Sequence, residues 1–172
     1  MRGPSSAVHD TAGDTHGVTA SSPCILIVED DDFKRGEIAR VISDLVHGYI
    51  SVTASSVQAA VAALRSREFD CVVLDISLPS HDPRKGESSP TSMPSGGLEV
   101  LMELAFLKRT DPVLVVTQYP EVEIDGSFVP LARLSRRVSE VLQVKLSGVI
   151  LFDKDSDEWR GRLRTAVEEC ID

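Results

Sequence analysis

Asp75 directly follows the run Cys71-Val72-Val73-Leu74, and Pro79 comes four residues after it. An unbroken apolar run bounded by a turn signal is the pattern of a strand buried on both faces, as in the middle of a parallel sheet. Asp75 then stands at the carboxyl end of that strand, the edge at which open α/β sheets bind their ligands. A carboxylate placed there can be a nucleophile that carries a phosphoryl group, or it can merely cap the next turn. A second apolar run, Cys24 to Val28, ends on Glu29, Asp30, Asp31 and Asp32. Pro112 to Thr117 ends on a hydroxyl, and Gly148 to Phe152 is followed almost at once by Lys154.

If the sheet is doubly wound in the order 2-1-3-4-5, its first and third strands are neighbours, and Glu29, Asp30 and Asp75 meet. Carboxylates so placed repel one another, and some take up protons unless positive charge lies among them. A hard divalent cation held by carboxylate, carbonyl and water oxygens relieves this, and Mg2+ is the expected ion. Those carboxylates, one Mg2+ and Lys154 sum to zero charge. A phosphoryl group of about −2 in place of one carboxylate charge leaves an excess of about one negative charge. Lys154 and the Thr117 hydroxyl are then drawn to the new oxygens, which supplies a switch.

The elements that must position these groups follow one another as β-α-β-α-β and onward. A helix from Asp31 or Asp32 is expected after the first strand, with Phe33, Ile38, Val41, Ile42, Leu45 and Val46 at roughly helical spacing. The acids at its first turn suit the helix dipole, which accounts for Asp32 but not for acids at the strand's own end. Tyr49 to Thr53 reads as a strand, and Ser55-Ser56 can cap a helix over Val57 to Arg67. Gly96-Gly97 opens a helix whose stripe is Leu98, Leu101, Met102, Ala105 and Phe106. Leu131 to about Leu146 is a helix with Leu134, Val138, Val141 and Leu142 on one face. Arg133, Arg136, Arg137 and Lys145 lie on its other face, either simply solvated or a dock for an acidic partner. Ser156 caps a last helix to Ile171, with Trp159, Leu163, Ala166, Val167 and Cys170 inward.

Two segments break this rhythm. Ser80 to Ser95 is Ser-, Pro- and Gly-rich, and Gln118 to Pro130 reads as irregular. Loops of such length in a compact domain are functional or mobile. His81 has no visible partner. Residues 1–23 are rich in Ser, Thr, Gly and Ala, include His9 and His16, and read as a disordered tail, leaving one domain over 24–172.

Composition narrows the classes. The chain has 172 residues, a net charge of −9 and a pI near 4.9, which speaks against a basic nucleic-acid face or a polybasic membrane anchor. No apolar run is long enough to span a bilayer, and no signal-peptide pattern opens the chain. Cys24, Cys71 and Cys170 are odd in number and lack CxxC spacing, so they read as reduced and mostly buried, as in a cytoplasmic protein.

Taken together, these marks resemble the receiver domain of two-component response regulators. They are Ile-Leu-Ile-Val-Glu29-Asp30-Asp31, Val-Val-Leu-Asp75-Ile-Ser-Leu-Pro79, Gly97-Leu98-Glu99-Val100-Leu101, Thr117 and Lys154, in family order from Cys24 to the C-terminus. The resemblance implies a flavodoxin-like α/β fold, a five-stranded parallel sheet with helices on both faces. It implies Mg2+ held by Glu29, Asp30, Asp75 and the backbone carbonyl of Ser77. It implies Asp75 as phosphoacceptor from a histidine kinase or phosphotransfer protein, with Thr117 and Lys154 assisting. Slow self-hydrolysis and a changed face around the fourth helix, toward a downstream protein target, would follow. Such a protein is not a turnover enzyme, and with no effector segment visible it is expected to act as a stand-alone receiver.

The chain departs from the family at several points. The segment before Gly97 is stretched by residues 80–95. Gln118 stands where a small residue usually follows the Thr. Lys154-Asp155 replaces the usual Lys-Pro pair, and the switch-aromatic position is Leu151, with Phe152 beside it. These changes fall on the readout side and motivate an alternative, a receiver-like interaction module set by a partner rather than by phosphate. A haloacid-dehalogenase-like phosphatase would need a second Asp two residues after the nucleophile, where Ser77 stands. Dinucleotide binding would need a Gly-rich turn where the first strand leads into acids.

Overall fold

In the computed structural model, which describes residues 21–88 and 90–172, the strands are β1 (Cys24–Val28), β2 (Ile50–Ala54), β3 (Cys71–Leu74), β4 (Val113–Thr117), β5 (Glu121–Ile124), β6 (Ser127–Pro130) and β7 (Leu146–Leu151). The helices are α1 (Asp32–Leu45), α2 (Val57–Ser66), α3 (Gly96–Phe106), α4 (Leu131–Leu142) and α5 (Glu158–Ile171). The tail expected over 1–23 falls almost wholly on residues 1–20, outside the described residues.

Alternate residues of β1 serve two separate cores. Cys24, Leu26 and Val28 pack with Val57, Ala60 and Leu64 of α2, Val100, Leu101 and Leu104 of α3, and Leu134 and Val138 of α4. Ile25 and Ile27 pack with Ile38, Val41 and Ile42 of α1 and Trp159, Leu163 and Val167 of α5. A strand that is apolar on both sides needs a helical layer on each, which is the doubly wound arrangement. The sheet runs β2-β1-β3-β4-β7 with every pair parallel, the expected 2-1-3-4-5 order with β7 as its fifth strand.

Within the segment expected to be irregular, residues 118–120 are so, but residues 121–130 are not. They form an antiparallel hairpin, β5–β6, with Val122 paired to Val129 and Ile124 to Ser127. The turn is Asp125-Gly126, with φ of 52° and 73°; two left-handed residues give the hairpin turn whose twist matches its strands. Helix α4 stops at Leu142, short of the expected Leu146, because Gln143 turns left-handed at φ 58° and Leu146 is already in β7. Lys145 therefore lies beyond the helix.

The stripe of α3 runs on a different phase from the expected one, and α1 buries Ile38, Val41 and Ile42 as expected but not Phe33. In α3, Val100, Leu101 and Leu104 are buried, whereas Met102 and Phe106 are 54% and 76% exposed. In α1, Phe33 is 61% exposed, and Lys34 takes the inward place instead.

Candidate functional site

The register of β1 on β3 pairs Val28 with Leu74, so the next residues, Glu29 and Asp75, leave the sheet side by side. The Asp75 N–H donates to the Val28 carbonyl at 2.9 Å, and the Glu29 N–H to that of Ala54 at 2.9 Å, so both backbones are held at the strand ends. Asp31 caps α1 by accepting the Lys34 N–H at 2.7 Å, and its own N–H donates to Glu29 Oε1 at 2.9 Å. Carboxylate oxygens of Glu29, Asp30 and Asp75 lie within 4.8 Å of one another. Glu29 and Asp75 are buried and Asp30 is partly so.

Buried like charges need a counterion, and the structure supplies one that the strand-end residues do not reveal. Lys34 Nζ lies 2.8 Å from Glu29 Oε2 and 2.9 Å from Asp75 Oδ2, with its side chain 4% exposed. Beyond these ion pairs, neither Lys34 Nζ nor Glu29 Oε2 has a hydrogen-bonding partner among the described residues. Burial, and next the Asp75 charge, push the Glu29 carboxyl up to about 7, against the pull of Lys34. Asp75 Oδ1 accepts only a long contact, 3.4 Å, from the Ser77 N–H.

The other expected site residues are placed differently from one another. Thr117 is fully buried at the end of β4, and its Oγ1 accepts the Tyr119 N–H at 3.3 Å. Ser77 is buried on the segment after β3. Ser77 and Thr117 line one cleft of about 390 Å³, walled by Thr91, Ser92 and Pro94 on one side and by Phe128 of the hairpin on another. Gln118 is exposed and so is Leu151, whereas Phe152 is buried with its ring 4.7 Å from that of Trp159. Lys154 is exposed in the turn after β7 and makes no ion pair with Glu29 or Asp75 among the described residues.

The long segment before α3 folds back over the acids. Leu78 and Met93 form an antiparallel bridge, and Ser92 Oγ donates to Asp30 Oδ2 at 2.6 Å. Ser92→Ala removes one charge-assisted hydrogen bond in a half-buried place and is expected to cost about 0.5–1 kcal/mol, read as a small fall in Tm. An unchanged Tm would mean that this bond does not fasten the segment. Sequence reasoning missed both Ser92 and Lys34. Ser92 carries no local signal. Lys34 does, since Ile38, Val41 and Leu45 continue backward to residue 34 at helical spacing and not to 33.

A doubly wound parallel sheet with three acids at its switch point, and a buried Thr at the neighbouring strand end, defines the receiver class of signalling domains. The response regulator receiver domain family matches residues 25–127, and the chain belongs to that family. It is 34% identical over 139 residues to the Detocs response regulatory protein DtcB of Vibrio alginolyticus, covering 79% of this chain and 93% of that protein. It is 23% identical over 147 residues to the protein of the same name from Enterobacter cloacae, covering 84% of this chain and 98% of that one. Its fold is similar to the receiver domain of a sensor histidine kinase from Pseudomonas aeruginosa PAO1, a structure with a magnesium ion coordinated in its active-site cleft. That match has a TM-score of 0.57 at 17% identity and covers 88% of this chain and 98% of that one. No helix among the described residues is long and apolar enough to cross a membrane.

Proposed function

We propose that this chain is a stand-alone response regulator that accepts a phosphoryl group on Asp75 and signals by changing what it binds. The observation that carries this reading is the burial of Asp75 beside Glu29 and Asp30 at the carboxyl edge of the sheet. Burying that much negative charge is unfavourable for a stability role alone, and it suits a site built to receive cations and phosphate. The donor set is all hard oxygen, which fits Mg2+. Glu29, Asp30 and Asp75 would hold it with the Ser77 carbonyl, and when bound it would neutralise charge on the transferred group.

In the transfer, an Asp75 carboxylate oxygen forms a bond to phosphorus as the bond from phosphorus to the donor's imidazole nitrogen breaks. The donor is a histidine kinase or phosphotransfer protein, and the released imidazole keeps the bonding pair. The Thr117 hydroxyl, which lines the same cleft as Ser77, would turn toward a new oxygen on Asp75. Slow hydrolysis of the aspartyl-phosphate resets the protein, which is otherwise not an enzyme. The likeness to DtcB proteins supports a role as the response regulator of a Detocs system, in the cytoplasm. The arginine-rich face of α4 is a suitable dock for a downstream protein.

The exposed positions of Gln118, Leu151 and Lys154 favour a second reading, an interaction module whose partner and not phosphate sets its state. Intact mass after incubation with Mg2+ and acetyl phosphate separates the two. The proposal expects an added phosphoryl mass in the wild type and none in Asp75→Asn. Absence of the adduct in folded, Mg2+-binding protein would leave the second reading, in which Asp75→Asn keeps partner binding intact.

A further inference from the structure

We infer that Lys34 of α1, rather than Lys154, is the working cation of the Asp75 pocket, so that one of the family's expected site groups has been moved to another element. The inference rests on the reading of Asp75 as phosphoacceptor for its chemistry, and on geometry alone for its charge.

Lys34 is built into the pocket on every side. Its backbone is fixed in the first turn of α1 by the Asp31 cap, 2.7 Å from its N–H. Its ammonium lies 2.8 Å from Glu29 and 2.9 Å from Asp75. The Phe152 ring lies beneath it, with Nζ 5.6 Å from the ring centroid, and Trp159 backs that ring. A lysine is seldom this buried unless it is paired, and here both partners are residues of the site itself. Lys154, by contrast, stands exposed between Asp153 and Asp155.

The charge arithmetic then closes without Lys154. Glu29, Asp30 and Asp75 with Lys34 carry −2, which one divalent cation cancels. Lys34 already touches Asp75 Oδ2, an atom that either attacks phosphorus or shares its carbon with the attacking oxygen. When the phosphoryl group arrives, the Lys34 ammonium pairs with the added negative charge, losing its hold on Asp75 as it does so. Because its ammonium lies over the Phe152 ring, that shift is felt by the Phe152–Trp159 pair, which links the pocket to α5 in place of the usual exposed switch aromatic.

The test compares Lys34→Met and Lys154→Met in the full chain, with two readouts. Methionine keeps an unbranched stem of similar length and removes the charge with its N–H donors; Lys34→Gln is the second variant should the first fail to fold. Calorimetric titration with Mg2+ alone is expected to show binding about tenfold tighter in Lys34→Met, since a neighbouring positive charge is gone, and unchanged within about twofold in Lys154→Met. Labelling by acetyl phosphate is expected to slow by about tenfold in Lys34→Met and to stay near wild type in Lys154→Met. A Mg2+ shift under about threefold for Lys34→Met, or an effect of Lys154→Met as large in either readout, overturns the inference. If the wild type takes no label, the phosphoacceptor reading fails, while the metal titration still decides which lysine the pocket contains.

Discussion

Gly97→Ala is expected to cost about 3 kcal/mol or more, to lower Tm by roughly 6–12 °C, and to weaken Mg2+ binding at least about tenfold. A Cβ at Gly97 would lie 2.4 Å from the Asp75 carbonyl oxygen and 2.6 Å from the Ile76 Cα. Both are backbone atoms, so no side-chain rotation relieves the clash. The Gly97 N–H also donates to the Ile76 carbonyl at 2.7 Å, which ties the start of α3 to the segment that carries Asp75 and Ser77. Either α3 withdraws, exposing Val100 and Leu101, or that segment moves and takes the pocket carboxylate with it. Stability and metal affinity should therefore fall together, one seen by thermal melting and the other by Mg2+ titration. Gly161→Ala in α5 is the control, because nothing lies within 4 Å of its Cβ position. It should stabilise by up to about 1 kcal/mol, as alanine does over glycine in an open helix position. A Gly97→Ala protein with normal Tm and normal Mg2+ affinity would mean that α3 does not brace the site.

The start of α3 was legible in the sequence as Gly96-Gly97 ahead of an apolar stripe, and so was the sheet. Of its five strands, β1, β3 and β4 are unbroken buried runs leading to Glu29, Asp75 and Thr117, and runs of that kind admit few arrangements other than a two-sided parallel sheet. The meeting of Glu29 with Asp75 followed from the order of strands alone. Lys34 was legible in the spacing of Ile38 and Val41, which points one residue past Phe33, the larger apolar residue on which the expected stripe begins. Side-chain type outweighed periodicity in that reading, and the buried position belongs to the lysine because its charge is needed there. The hairpin was hidden for a similar reason. Prolines and acids suggested a loop, yet Asp125-Gly126 between Glu121-Val122-Glu123-Ile124 and Ser127-Phe128-Val129 is a turn flanked by alternation. Ser92 reaches Asp30 from 62 residues away, a contact no local pattern encodes. Lys154 shows the converse: a residue just past a strand end has a known address but an unfixed direction.

Without Mg2+, Asp75→Asn is expected to be more stable than the wild type, by about 1–2 kcal/mol or roughly 3–6 °C in Tm near pH 8. Most substitutions of buried residues destabilise, so the sign is the point of the experiment. In the wild type one ammonium faces both Glu29 and Asp75, with Asp30 close by. Replacing Asp75 by the neutral amide leaves Lys34 and Glu29 as a balanced pair, and the amide oxygen can still accept from Lys34. The pH dependence gives the same argument a second reading. Glu29 is pushed up to about 7 in the folded chain from an ordinary value of 4.5, by burial first and the Asp75 charge second. The folded state therefore binds the Glu29 proton more tightly than the unfolded one. Its contribution to stability is fully present below 4.5 and is lost as pH rises through about 7. Removing the Asp75 charge draws the Glu29 carboxyl back down, so the variant should lose less stability over that interval. Saturating Mg2+ should then raise the wild-type Tm and leave the variant nearly where it was, closing or reversing the gap, because the cation and the lost charge relieve the same repulsion. An Asp75→Asn protein that melts below the wild type in metal-free buffer would show that Lys34 already neutralises the pocket and that Asp75 is held there at no cost to the fold.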